Sequence, residues 1–590
     1  MHCVGIIVLV IITGCGGVRI HNNVKRLALV LFCFFPSCDS GFQQIDRRVE
    51  EIMAEKSHSF GAIKPDIILR TQDAFADSIE NTNPQTINPS SGDLEYIRAA
   101  DIDAEAIARS LDNAENDLAL TSTLLTLDES LLWANANSKE VEFAEYDYLS
   151  TTLSLLGELH LWGPRFTNTI TSALEADSTD GMYDTAIEVV NDYKITQSLH
   201  SGGTISATAL STFAKDLHSS TTTTSSSNSK SVLGLVIEIP LLQGAGAVAR
   251  ESLIQAKRDL VYAARTFERF RRTFYRDIVS DYLSLVVQKQ SLNNAQMGVD
   301  SLRQLAKRQT ALYESGRTRL YDSVDAENQA LAAVASLSQS WEQYRLALDR
   351  FKIRIGWAIE TPIDVVPTSL GIFPPEVNVT TAVLQALRFR LDLQNELNRL
   401  GDTKRSVANA INGLLPEATL TLSASTDSED HKPAKFTGED IDYVAGLSFS
   451  FPLNRETERI AVRQQQIALE KAKRSYRETR DTVAVEVRSS LRNIEVFQFT
   501  LDLQERNVEI AQLGLDSINA DPDRVSVLDQ TRAISDLQGA KDARDSARRD
   551  LELSILDYLL RAGQIRISSE GTLVLPIDKQ SDSMGLQLQE

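Results

Sequence analysis

The sequence predicts a mainly α-helical protein that carries membrane β-structure. Long antiparallel coiled-coil hairpins and four barrel strands per protomer are arranged as two internal repeats. Three observations carry this. A short pattern occurs twice, as Leu233-Gly234-Leu235-Val236-Ile237-Glu238-Ile239-Pro240-Leu241 and as Ala445-Gly446-Leu447-Ser448-Phe449-Ser450-Phe451-Pro452-Leu453. Each copy runs into a long stretch without proline, Leu241 to Thr361 and Leu453 to Asp521. Within each copy the apolar residues alternate, which places them on one face of a strand.

The N-terminus reads as an export signal. All four cysteines, Cys3, Cys15, Cys33 and Cys38, lie in the first 38 residues of 590, so the body has no cysteine for a disulfide or a metal site. Val4 to Ile12 precedes Thr13-Gly14-Cys15, and Leu27 to Phe35 precedes Pro36-Ser37-Cys38. Both resemble the end of a bacterial lipoprotein signal. The second has Lys25-Arg26 before its apolar run, which makes Cys38 the expected lipidated residue. A simple secretory signal is the alternative. Residues 1–37 are thus read as a lipoprotein-type signal segment. Residues 38–120 are a polar N-terminal extension and linker, with a short amphipathic helix marked by Ile45, Val49 and Ile52.

The first repeat is assigned to 121–361. Thr126 with Glu129 three residues on is a capping-box signature at the start of a helix. Trp162-Gly163-Pro164 follows, then Phe166 to Thr171 and an irregular stretch. Strands are expected at about 195–213 and 231–242, and a helical hairpin over 244–357. Leu253, Ala256, Leu260, Ala263, Phe267, Phe270 and Phe274 follow the 3-4 spacing of a coiled-coil seam. A helix from Gly244 to about Thr310 would be roughly 100 Å long at 1.5 Å per residue. The second repeat is assigned to 362–565, with strands at about 417–426 and 442–453 and a hairpin over 455–562. Residues 566–590 form a C-terminal tail. Gly316 and Asp521-Pro522-Asp523 break the two hairpins. The stretches between paired strands, Ser219 to Lys230 and Thr426 to Asp440, read as solvent-facing loops.

Net charge is −21, which argues against nucleic acid as a partner. No run reaches 18 apolar residues, so a membrane is met through strands or an anchor. Leu235, Ile237, Ile239, Leu447, Phe449 and Phe451 form the expected lipid-facing side. Gly446, Ser448 and Ser450 face the other way. A barrel in lipid must close, and four strands are too few, because the smallest barrels have about eight. Three copies would give twelve. A soluble sandwich is the competing reading of the strands. It would have no need of helices of coiled-coil length entering and leaving each strand pair.

Catalytic motifs are absent: no HExxH, P-loop, GxGxxG or Cys/His cluster occurs, so neither an enzyme nor a cofactor or metal is expected. The first hairpin turn reads Tyr313-Glu314-Ser315-Gly316-Arg317-Thr318-Arg319-Leu320-Tyr321-Asp322-Ser323-Val324-Asp325. Asp322 and Asp325 share a helix face at i, i+3. Repeated around a symmetric tube, such aspartates make an acidic ring that favours cations. The alternative is an ordinary helix start, where acids offset the macrodipole.

These residues resemble the TolC-like outer-membrane efflux proteins, over about 125–565. The likeness rests on Leu125-Thr126-Leu127-Asp128-Glu129-Ser130-Leu131-Leu132, on Arg390-Leu391-Asp392-Leu393, on the paired strand ends, and on the turn after Tyr313. The resemblance implies a homotrimer with a twelve-stranded barrel in outer-membrane lipid and a periplasmic helical tunnel. It implies passive export of small molecules or proteins, as part of a tripartite efflux pump or type I secretion system. The partners it implies are a periplasmic adaptor and an inner-membrane transporter of RND or ABC type. Tyr313, Gly316, Asp322 and Asp325 match the family's tunnel-tip motif, which carries gating and adaptor contacts. In the second copy Asp529 matches the first aspartate, and Arg532 stands in place of the second. The alternative function is a lipid-anchored periplasmic coiled-coil scaffold without a pore.

Overall fold

The computed structural model describes residues 39–60, 123–179, 182–218, 227–429, 432, 435–521, 525–568 and 573–574. Cys38 lies outside them. Helix α1 (Asp39–Phe60) belongs to a unit of its own. The rest of the description concerns the second unit.

The second unit repeats one plan. In the first half β1 (Thr123–Leu125) leads to α2 (Leu127–Asn137) and α3 (Lys139–Leu161). Strands β2 (Arg165–Thr179), β3 (Met182–Ser198), β4 (Thr204–His218) and β5 (Ser227–Pro240) follow. Then come the long helices α4 (Glu251–Glu314) and α5 (Leu320–Ile355). In the second half β6 (Ile363–Val365) leads to α6 (Val379–Phe389) and α7 (Leu391–Asn412). Strands β7 (Glu417–Ser428) and β8 (Phe436–Ser450) follow, and helices α8 (Glu456–Ala520) and α9 (Val527–Arg561) complete the copy. The long helices match closely, at 64 and 36 residues in the first copy and 65 and 35 in the second. A helix of 64 residues spans about 96 Å at 1.5 Å per residue.

Local chemistry sets the helix starts. The Thr126 side chain accepts the Glu129 amide, and the Glu129 carboxylate accepts the Thr126 amide at 2.9 Å, the expected capping box. Short strands β1 and β6 pair in parallel and are tied to the helices. Tyr282 of α4 is fully buried, with its hydroxyl 2.9 Å from the Leu125 carbonyl and accepting the Val366 amide at 3.1 Å. Asp364 takes Lys289 at 2.6 Å and the Tyr344 hydroxyl at 2.9 Å. The core runs along α4, where Phe274, Ile278, Val279 and Leu285 pack with Leu348, Ile355 and Leu556. The helical layer is ordered α5, α4, α9, α8, with α4 and α9 in the middle.

The sheet differs from expectation. It has six antiparallel strands, in the order β2-β3-β4-β5-β7-β8, rather than four. The stretch 195–213, expected as one strand, crosses a turn and supplies parts of β3 and β4. The irregular stretch after Thr171 is the remainder of β2 and β3. At the other ends, β4 reaches His218, β5 begins at Ser227 and β8 begins at Phe436, so strand pairing extends into stretches expected as loop. Phe451, Pro452 and Leu453 lie past the end of β8.

The unexpected turn between β3 and β4 is built into the base of the sheet. Leu199 donates its amide to the Gly203 carbonyl at 2.7 Å, and the Ser201 carbonyl accepts the Gly246 amide at 2.9 Å. The Trp162 and His200 rings lie 5.3 Å apart. Gly202 has φ +100°, and a Cβ there would stand 2.6 Å from the Gly244 carbonyl and 2.8 Å from the Ala249 Cβ. We expect Gly202→Val to cost about 1–3 kcal/mol through backbone strain alone, before the clash is counted. The readout is a lowered midpoint of thermal unfolding followed by circular dichroism; an unchanged one would refute this anchoring.

Candidate channel wall and hairpin tips

The strand register sorts the sheet into two faces. One row crosses all six strands as Phe166, Ile195, Ala207, Leu235, Ala424 and Tyr443. The next row, on the opposite face, reads Thr167, Lys194, Thr208, Gly234, Ser425 and Asp442. The pattern persists toward the base. Ile237 pairs with Leu422 and Ile239 with Leu420, which in turn pairs with Leu447. Phe449 shares that face, and Phe451 just beyond the strand packs against it, the rings tilted by 41° with centroids 5.5 Å apart. Leu447 and Phe449 are 66% and 57% exposed in the protomer. Leu235, Ile237, Ile239, Leu447 and Phe449 therefore lie together on one apolar face. The polar face carries a Lys230–Asp427 ion pair at 2.6 Å.

The far ends of the long helices form the tips. Helix α4 closes on Gly316 at φ +72°, where glycine takes the left-handed conformation cheaply. The Gly316 amide reaches the Tyr313 carbonyl at 2.8 Å and the Arg317 amide reaches the Leu312 carbonyl at 2.8 Å, a Schellman stop. Tyr313 and Tyr321 are exposed. Asp322 sits in the first turn of α5 and accepts the Thr318 hydroxyl at 3.2 Å. Asp325 is half-buried and has no hydrogen-bond or ion-pair partner among the described residues. In the second copy Asp529 stands at the same offset from the start of α9. Ser526 caps that helix, accepting the Asp529 amide at 3.2 Å and donating to its carboxylate at 2.6 Å. Arg532 is exposed and makes no ion pair with Asp529 among the described residues. Apolar contacts among Leu302, Leu305, Ala326, Ala330 and Val527 hold the two tips together.

The model of the family described as outer membrane efflux protein matches residues 382–554. The second repeat of this chain is thus similar to the outer membrane efflux proteins. The chain's fold is similar to that of the outer-membrane channel OprN, at 15% identity and a TM-score of 0.57, covering 74% of this chain and 90% of that one. The Campylobacter jejuni CmeC outer membrane channel matches at 15% identity and 0.57, covering 78% and 88%. The outer membrane protein VceC of Vibrio cholerae matches at 14% identity and 0.57, covering 74% and 96%. A search of curated proteins returns no match. That family is one of the outer membrane.

In this chain the Arg390-Leu391-Asp392-Leu393 stretch has a visible task. Arg390 lies between α6 and α7 and grips Asp392 with two nitrogens, at 3.1 and 2.6 Å, while also bonding Glu486 of α8. Arg269 of α4 reaches the same Asp392 at 3.0 Å. Arg276 of α4 binds Asp557 of α9 at 2.6 and 3.2 Å. These pairs clamp the middle of the helical layer. Sequence reasoning singled out Arg390 and Asp392 only as a family motif and missed Glu486, Arg269, Arg276 and Asp557. No spacing rule connects residues up to 281 positions apart.

Proposed function

We propose that the chain is one protomer of a trimeric outer-membrane channel for passive export. It serves a tripartite efflux pump or a type I secretion system, fed by an inner-membrane transporter of RND or ABC type through a periplasmic adaptor. The observation that carries this reading is the two-faced sheet: the row from Phe166 to Tyr443 is apolar across all six strands, and the next row, from Thr167 to Asp442 on the other face, carries only small or polar residues. A soluble antiparallel sheet also has two unlike faces, but it covers its apolar face with other elements; here Leu447 and Phe449 on that face stand open in the protomer. A wall between lipid and water needs both faces. Leu235, Ile237, Ile239, Leu447, Phe449 and Phe451 then touch hydrocarbon. Cys38 adds a lipid anchor. The exposed rings of Tyr313 and Tyr321 at the tip offer contacts to the adaptor.

Conductance of the purified protein in planar bilayers tests this reading. Discrete channel openings are expected. Bilayers that stay sealed at all voltages would favour the lipid-anchored scaffold instead.

The tip aspartates divide the labour. Asp322 is held by the Thr318 hydroxyl ahead of its helix and Asp529 by its N-cap Ser526. Asp325, without a partner, is the better member of a cation-selective ring. We expect Asp322→Ala together with Asp325→Ala to raise the leak and to raise the concentration of multivalent cation needed for block by about tenfold, equal to about 1.4 kcal/mol of lost binding. Unaltered block would leave these side chains as helix-start acids alone.

A further inference from the structure

We infer that the barrel closes with eighteen strands rather than twelve, its seam formed by β2 of one copy against β8 of the next. This rests on the trimeric reading above. Three copies of a six-stranded sheet supply the strands. Both outer strands, β2 and β8, have a partner on one side only among the described residues, and in hydrocarbon an open edge leaves amide and carbonyl groups without hydrogen bonds. Parity allows the closure. β2 leaves the helical layer and β8 returns to it, so a second copy set beside β8 meets it antiparallel, like every other pair in the sheet.

The helical layer has matching flanks. Helix α8 lies at the β8 side and carries Val496, Phe499, Leu503, Ile510 and Leu513 at 3-4 spacing, each more than half exposed. Helix α5, at the opposite flank, exposes Val324 and Leu331 seven residues apart. A second copy placed to join β8 with β2 also lays α5 over this α8 stripe. The occupant of both edges is therefore the same molecule.

The inserted strands belong to the wall and are not a decoration on it. β2 pairs with β3 along its whole length, from Arg165 with Thr196 to Thr179 with Met182. The apolar row through Phe166 and Ile195 and the polar row through Thr167 and Lys194 run through them into the rest of the sheet without a change of face. Barrel diameter grows about linearly with strand number, so the bore is about one and a half times as wide as that of a twelve-stranded closure. Barrels of 16–18 strands leave an open aqueous channel. The constriction then falls at the helical tips, and the outer-membrane part passes any cargo the tips admit.

Disulfide cross-linking in outer membranes tests the seam. Thr169→Cys on β2 is combined in turn with Val444→Cys, Gly446→Cys and Ser448→Cys on β8, all on the polar face. The described part of the chain has no native cysteine to interfere. The expected result is covalent dimer and trimer on denaturing gels for at least one pair. The same scan with Ser206→Cys on β4 should give none. Cross-linking from Ser206→Cys but not from Thr169→Cys would place the seam at β4 and overturn the inference. So would a trimer by native mass in which no β8 position reaches Thr169→Cys. A monomer by native mass would remove the trimer itself, a different failure.

Discussion

Phe449→Lys is expected to abolish recovery of heat-modifiable oligomers from the outer membrane. Phe449 lies on the apolar face of β8, beside Ala418 of β7 and in ring contact with Phe451. A lysine at the lipid midplane costs about 2–4 kcal/mol, and less near the interfaces, in every copy of the chain. The neighbouring Ser448 pairs with Thr419 on the polar face. Ser448→Lys should therefore assemble normally, with only a change in conductance. Gels of membrane fractions run with and without heating separate the two. Normal oligomers from Phe449→Lys, with loss from Ser448→Lys, would mean that the sheet is inside out.

Arg390→Met is expected to cost about 3–5 kcal/mol, the penalty for removing one partner of a buried ion cluster. The Arg390 and Asp392 side chains are 11% and 19% exposed. Without the guanidinium, Asp392 keeps Arg269, and Glu486 keeps a weak contact with Arg561 at 3.9 Å, so the loss should lie near the lower bound. Thermal unfolding followed by circular dichroism measures it. The same cluster gives a pH dependence. Burial pushes the Asp392 carboxyl up, but Arg390 and Arg269 outweigh burial and hold it below the usual carboxylate range. A depressed acid contributes stability above its unfolded value, about 3.9, and loses it as pH falls through the folded value. Wild-type stability should therefore drop on acidification below about pH 4. In Arg390→Met that drop should be much shallower. Equal acid sensitivity in both proteins would show that another group is responsible.

Much of this architecture is legible in the residues. Thr126 and Glu129 announce a helix start, the proline-free runs announce the long helices, and Gly316 announces the first turn. Each signal is local, because capping, chain stiffness and positive φ act within a few residues. The alternation at Leu447 to Phe451 shows a strand with two unlike faces for the same reason. The inserted strands were legible too, though less plainly. Ile187, Val189, Tyr193 and Ile195 alternate with Glu188, Asp192 and Lys194, and the chain between Thr179 and Met182 reads Asp180-Gly181, a common hairpin connection. Val190 and Asn191 blur that alternation, while the bend from β3 to β4 is marked by Ser201-Gly202-Gly203, a turn signal that the expected strand over 195–213 runs through.

By itself the sequence determined the period, length and polarity of each element, and with them a duplicated helical chain that carries amphipathic strands. Those properties follow from side chains within one turn or one strand pair of each other. The tertiary structure alone decided the number of strands in the sheet, the partners of Arg390 and Asp392, and which tip aspartate is left without a bond. Each depends on groups far apart in the chain meeting in space. Such contacts depend on packing and desolvation across elements, which no local pattern records.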